Sequence, residues 1–167
     1  MKAVRLHQPG SVEKYVYEDA PDPVAGPGDV LVRVKAVALN HLEAWAAKAP
    51  PSVRYDAPRI LGADVAGVVE SVGPGVIAAA PGDEVMLHPG VSCGVCERCL
   101  GGEDNLCRRY HLIGQGRDGG LAEQLVVPQA NVMPKPEELS FEEAASIPLV
   151  FTKKVAPLLS LRRRKPA

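Results

Sequence analysis

Cys93, Cys96, Cys99 and Cys107 are the only cysteines in the 167 residues, and all four lie in one stretch, Cys93-Gly-Val-Cys-Glu-Arg-Cys-Leu-Gly-Gly-Glu-Asp-Asn-Leu-Cys107. The spacing C-x2-C-x2-C-x7-C suits a tetrahedral Zn2+ held by four thiolates at about 2.3 Å, because two-residue gaps let tight turns aim neighbouring sulfurs at one point. Two disulfides are the alternative, with three possible connectivities for four cysteines. Nothing at the N-terminus resembles a secretion signal, and a reducing compartment favours metal over disulfide. Four protein ligands close a zinc site, so a metal held there organises the fold and has no open position for substrate.

Composition bounds the function without naming it. Nineteen Lys and Arg against 20 Asp and Glu leave a formal charge of −1, which gives no overall electrostatic case for nucleic acid or an anionic membrane. No apolar run reaches the roughly 18 residues of a spanning helix. The expectation is a soluble, cytoplasmic protein with one domain and room for a proper core. Sixteen Gly and 16 Pro within a chain that is 46% hydrophobic point to short strands and many turns.

The elements that must position the cysteines follow from local pattern. Residues 2–7 and 12–18 read as strands joined through Pro9-Gly10, and the proline-rich stretch 20–28 reads as a loop. Asp29 to Ala38 has period-two patterning, with Val30, Val32, Val34, Ala36 and Ala38 on one face and Leu31, Arg33, Lys35 and Val37 on the other. Residues 40–48 hold good helix formers behind Asn40, a residue that caps helices, and Pro50-Pro51 ends them. Residues 63–72, 82–88 and 121–127 read as further strands, and Ser140-Phe-Glu-Glu143 is a capping box opening a helix near Ala144. The strand-dense body predicts a mainly β, partly closed barrel with short helices and a four-cysteine zinc lobe.

The ordered string of Lys2-Ala-Val, Pro27-Gly-Asp-Val-Leu-Val-Arg-Val34, Leu61-Gly-Ala-Asp-Val-Ala-Gly-Val-Val69, Pro81-Gly-Asp-Glu-Val85, the cysteine lobe, Asp118-Gly-Gly-Leu-Ala-Glu123 and Ser140-Phe-Glu-Glu-Ala-Ala145 resembles the N-terminal, GroES-like domain of zinc-type alcohol dehydrogenases. These are the medium-chain dehydrogenase/reductases. The resemblance covers roughly residues 1 to 151 and implies hydride transfer between NAD(P) and an alcohol, aldehyde, ketone or quinone. It also implies a separate Rossmann domain after residue 151, the cofactor-binding half of such an enzyme.

The chain departs from that family where the chemistry would be done. Family members with catalytic zinc carry Cys-x-Ser/Thr-Asp after the fourth strand, and the corresponding residues here are Asn40-His41-Leu42-Glu43. The family's Gly-His-Glu is here Gly62-Ala63-Asp64. A zinc ion left with Asp64 and an amide loses its soft ligand and its imidazole together, so the expectation is no catalytic zinc. The replacement resembles the quinone oxidoreductase branch, which reduces with NADPH and no metal. Asn40, His41 and Asp64 are the pocket candidates. Against those roles stand a helix N-cap for Asn40, an ordinary surface imidazole for His41 and a structurally hydrogen-bonded carboxylate for Asp64. Trp45 and Tyr55 near the pocket helix are candidates for a substrate wall, although core packing is the better account of Trp45. His88 and His111 flank the lobe and read as structural, since four thiolates complete a tetrahedron. Glu103 and Asp104 read as solvated loop charges.

Gly114-Gln-Gly-Arg-Asp-Gly119 matches G-x-G-x-x-G, but a dinucleotide site needs a strand before those glycines and a helix opening at them. Here they lead into strand-like residues ending at Pro128, so a glycine-rich turn is expected and no cofactor-binding residue is assigned. The segment 152–167 departs from the family and carries Arg162-Arg-Arg-Lys165. It reads as an atypical tail from truncation or frame shift, and less readily as a basic tail for nucleic acid or membrane. Two functions follow. One is the substrate-side half of a reductase acting on a small molecule, inactive without its cofactor domain and able to self-associate through an exposed apolar face. The other is a free-standing zinc-stabilised barrel serving as an assembly or interaction module.

Overall fold

Five antiparallel strands in the order β10-β6-β5-β3-β9 carry the body of the protein in a computed structural model that describes residues 1–50 and 58–151. The strands are β3 (Asp29–Ala38), β5 (Asp64–Val72), β6 (Glu84–Leu87), β9 (Gln124–Pro128) and β10 (Val132–Pro134). A three-stranded sheet joins β1 (Lys2–Leu6) to β2 (Tyr15–Asp19) on one side and to β4 (Arg59–Ile60) on the other. A third sheet pairs β7 (Gly90–Val91) with β8 (His111–Leu112) at the base of the cysteine lobe. Short helices α1 (His41–Lys48), α2 (Glu97–Leu100) and α3 (Phe141–Ala145) complete the set. The mainly β body with short helices expected from the sequence is present. Its five-stranded sheet stays open, with β9 and β10 as edges rather than closing on each other.

β3 spans the residues its alternation predicts, but its two faces do not run the whole length. The register with β5 shifts between Val34 and Ala36, so Lys35 is bulged. A bulge inserts one unpaired residue and reverses the alternation beyond it. Val30, Val32 and Val34 therefore share the main core with Val37, whereas Ala36 and Ala38 turn to the opposite face and pack with Ala144 and Ala145 of α3. The main core is aliphatic, built from Val30, Val32, Val65, Val69, Val85, Leu87, Leu125 and Val127, with Val91 and Ile113 joining from the lobe's base.

Residues 12–18 are not one strand. Val12–Lys14 forms a 3-10 turn behind Ser11, whose hydroxyl accepts the Glu13 N–H at 3.2 Å, and only Tyr15–Asp19 pairs with β1. Ser140 opens α3 as expected: its Oγ accepts the Glu143 N–H at 3.2 Å, and the Glu143 carboxylate accepts the Ser140 N–H at 2.9 Å. Tyr55 and the tail 152–167 lie outside the described residues.

Candidate functional site

Ala38 is paired with Asp64, so the antiparallel β3–β5 ladder sets Asn40, just past the end of β3, beside the first residue of β5. Asn40 Nδ2 donates to Asp64 Oδ2 at 2.9 Å, and the second oxygen of Asp64 accepts the backbone N–H of Leu149 at 2.7 Å. Asp64 is 1% exposed. One buried carboxylate thus fastens the strand end, the entry to α1 and the segment after α3 to one another. Asn40 is half-buried and is also the N-cap of α1, where the Glu43 carboxylate accepts its backbone N–H at 2.7 Å. Sequence reading missed Glu43. Its signal was present, since an acid three residues after a cap is the returning half of a capping box. The Glu43 carbonyl is further held by the Tyr15 hydroxyl at 2.9 Å.

His41 lies exposed on the first turn of α1, as its surface reading has it, with its ring centroid 5.9 Å from that of Trp45. Trp45 corrects the expectation of core packing: it is 64% exposed. The inward face of α1 is Glu43, Ala46 and Ala47, and the two alanines press on Leu6 and Leu61. Small residues allow that close approach, and Trp45 falls on the outer side of the helix with Leu39 also exposed nearby in sequence. Where the catalytic-zinc pattern has an imidazole, Ala63 is fully buried and offers no donor atom. Gly62 just before it has φ +100, and a Cβ there would sit 2.9 Å from the Leu121 backbone nitrogen.

The four cysteine sulfurs all lie within 4.8 Å of one another. Cys96 and Cys99 are 3.5 Å apart and Cys93 and Cys99 are 3.8 Å apart. Sulfurs about 2.3 Å from a tetrahedral zinc are roughly 3.8 Å from each other, so the cluster has the size of a zinc tetrathiolate. Backbone N–H groups converge on it: Cys107 Sγ accepts from the N–H of Cys93 at 3.4 Å and of Arg109 at 3.3 Å. The Val95 N–H and the Arg109 side chain hold the Cys93 thiol down to about 5, and the Cys99 N–H lowers Cys96. Desolvation and the neighbouring Cys96 push Cys99 up to about 11. Two of the sulfurs are thereby biased toward thiolate, the form that binds metal. Neither flanking histidine belongs to the cluster. His88 Nδ1 sits 3.0 Å from the Gly90 carbonyl, and His111 Nδ1 sits 3.1 Å from that of Arg109. The lobe's base is fixed by buried Asn131, whose Nδ2 donates to the carbonyls of His88 at 2.7 Å and Gly90 at 2.8 Å.

The glycine-rich stretch 114–119 opens no helix. Gly119, Gly120 and Leu121 donate their N–H groups to the carbonyls of Ile60, Gly62 and Leu61 and lead into β9. Every pairing between named strands is antiparallel among the described residues, so no βαβ unit is present there. No helix of the described residues is long and apolar enough to cross a membrane.

Similar proteins agree with this geometry. An alcohol dehydrogenase of Geobacillus stearothermophilus is 42% identical over 121 residues, which is 72% of this chain and 36% of its own length. An L-threonine 3-dehydrogenase of Pyrococcus horikoshii is 34% identical over 148 residues, covering 86% of this chain and 41% of its own. Among solved structures, an NAD-dependent alcohol dehydrogenase matches with a TM-score of 0.87 and 52% identity, over 96% of this chain and 48% of that one. The cobalt- and zinc-bound thermostable alcohol dehydrogenase from Pyrobaculum aerophilum matches with a TM-score of 0.80 and 36% identity, over 89% and 44%. The chain therefore spans less than half the length of each of these relatives. Residues 26–137 match the family described as the alcohol dehydrogenase GroES-like domain, and with this fold and a cysteine cluster compatible with zinc, the chain belongs to that family of zinc-type alcohol dehydrogenases.

Proposed function

We propose that this chain is the substrate-side domain of an NAD(P)-dependent oxidoreductase acting on an alcohol, aldehyde, ketone or quinone. It holds one structural zinc on Cys93, Cys96, Cys99 and Cys107 and no zinc at the catalytic position. The observation that carries this reading is the Asn40–Asp64 hydrogen bond at 2.9 Å, with Ala63 beside it. An amide, a methyl and a carboxylate already engaged by two donors do not make the soft, imidazole-bearing ligand set of a catalytic zinc.

The nicotinamide cofactor supplies the hydride when bound, and this domain's residues orient the acceptor. An asparagine amide has two N–H hydrogens. Asp64 takes one and thereby fixes the plane of the amide, so the other is free to donate to a substrate oxygen on which negative charge develops. The buried Asp64 acts through Asn40 and is a positioning residue. Exposed Leu39 and Trp45 offer apolar surface for the body of the substrate. His41 extends the polar side of the same helix end.

The test is a metal count per chain by elemental analysis, repeated on the C99S/C107S variant. One zinc that disappears in the variant supports the reading. Two zincs, one of which survives the substitutions, would restore a zinc-dependent catalytic centre and overturn it.

A further inference from the structure

A cavity of about 410 Å3 opens between β1, β4, β9 and the loop 20–23, and shares no residue with the Asn40–Asp64 pair or the cysteine lobe. Arg5, Asp22, Ile60, Arg117, Gln124 and Leu125 line it, together with the chain's N-terminus. Its polar and charged groups are nearly all committed. Arg5 pairs with Glu18 at 3.2 Å, and the N-terminal ammonium pairs with Asp22. Asp118 Oδ1 accepts the Ile60 N–H at 3.1 Å, and Gln124 Nε2 donates to Glu70 at 3.1 Å. Arg117 differs. Its guanidinium makes no ion pair or hydrogen bond among the described residues, although it is half-buried in the cavity wall.

Arg117 is also held in place. The backbone of Arg117 bridges that of Ile113, and the next two residues clamp onto β4 through the Asp118 carboxylate and the Gly119 N–H, which donates to the Ile60 carbonyl at 2.9 Å. Burial lowers the pKa of the guanidinium, partly offset by Asp29 and Asp118 at longer range. A cation that gives up hydration without a partner is costly unless a ligand supplies the missing acceptor. A planar guanidinium fork matches a carboxylate in two parallel hydrogen bonds, and Pro21 and Pro23 offer apolar contact alongside.

We infer that this cavity is a binding site for a small organic carboxylate, with Arg117 as its recognition residue and Pro21 and Pro23 taking the ligand's apolar body. Nothing in the inference rests on the proposed reductase role, and the two fail independently.

The experiment follows the arginine Nε–Hε signals of the full, zinc-loaded chain by two-dimensional NMR during titration with sodium benzoate, against sodium chloride at matched ionic strength. The signal that is lost in R117Q identifies Arg117. Its shift with benzoate is expected to saturate in the wild type, together with shifts of the backbone amides of residues 118–125; those amide shifts should be absent in R117Q and need about tenfold more benzoate in R117K. R33Q, which removes an arginine paired with Glu70, should bind as the wild type does. Should R117Q fail to fold, R117K keeps the cation and supplies the assignment. A benzoate shift no larger than that of chloride overturns the inference, as does binding that survives unchanged in R117K or R117Q.

Discussion

Asp64 is the residue on which most of the candidate site hangs, because its two oxygens serve donors from two different segments. D64A should strand the Asn40 amide and the Leu149 N–H, at a cost of about 3 kcal/mol, since each buried group left without its acceptor costs on the order of 1–3 kcal/mol. D64N keeps one acceptor and should cost about half as much. Urea unfolding followed by far-ultraviolet circular dichroism measures both, and a D64A penalty under about 1 kcal/mol would remove the clasp from the account. At this scale the sequence was legible wherever a residue type forbids or demands chemistry. Four cysteines demanded a cluster, and an alanine at position 63 forbade a ligand. Trp45 was not legible from its size and apolar character, which say that a side chain gains by burial and nothing of where its Cα faces. The helix settled that through Ala46 and Ala47, whose smallness lets α1 lie close on Leu6 and Leu61.

Among the elements, the long strands and the capped helices were readable because their signals are local. β3 has ten residues of apolar alternation, and Ser140 with Glu143 is a closed hydrogen-bond circuit. The two-residue strands β4, β7 and β8 have no period of their own and exist because a distant partner offers a ladder. The bulge at Lys35 is hidden for the same reason, since register belongs to the pair and not to the strand. Gly62 is the backbone joint between β4 and β5. At φ +100 with the Leu121 nitrogen 2.9 Å from where a Cβ would lie, it admits no side chain without a shift of the backbone. G62A should destabilise the fold by roughly 2 kcal/mol, from the unfavourable φ and the displaced Leu121 contact together. The readout is the urea midpoint at unchanged slope. A neutral result would mean that the 61–64 segment relaxes freely and does not rigidly place Ala63 and Asp64.

Taken whole, the molecule has two sources of order that barely overlap. The aliphatic core lies between β3, β5, β6 and β9, whereas the cysteine lobe has no buried residue in α2 and joins the body through Val91, Ile113 and the Asn131 amide. Stripping the zinc proposed for this lobe with a chelator should therefore melt the lobe and leave the sheet. Hydrogen exchange at pH 7 should accelerate more than tenfold across residues 93–110 and stay within about twofold in β3 and β5. Loss of protection in β3 would mean that the metal holds the entire fold. The sheet order β10-β6-β5-β3-β9 could not be read from the sequence, because it is fixed by contacts far apart in the chain. The chain's single tryptophan, standing in water beside His41, has a practical consequence for spectroscopy. An indole already hydrated in the native state changes little on denaturation, so its emission is a poor gauge of unfolding. It is instead a built-in optical reporter of whatever comes to rest against the outer face of α1.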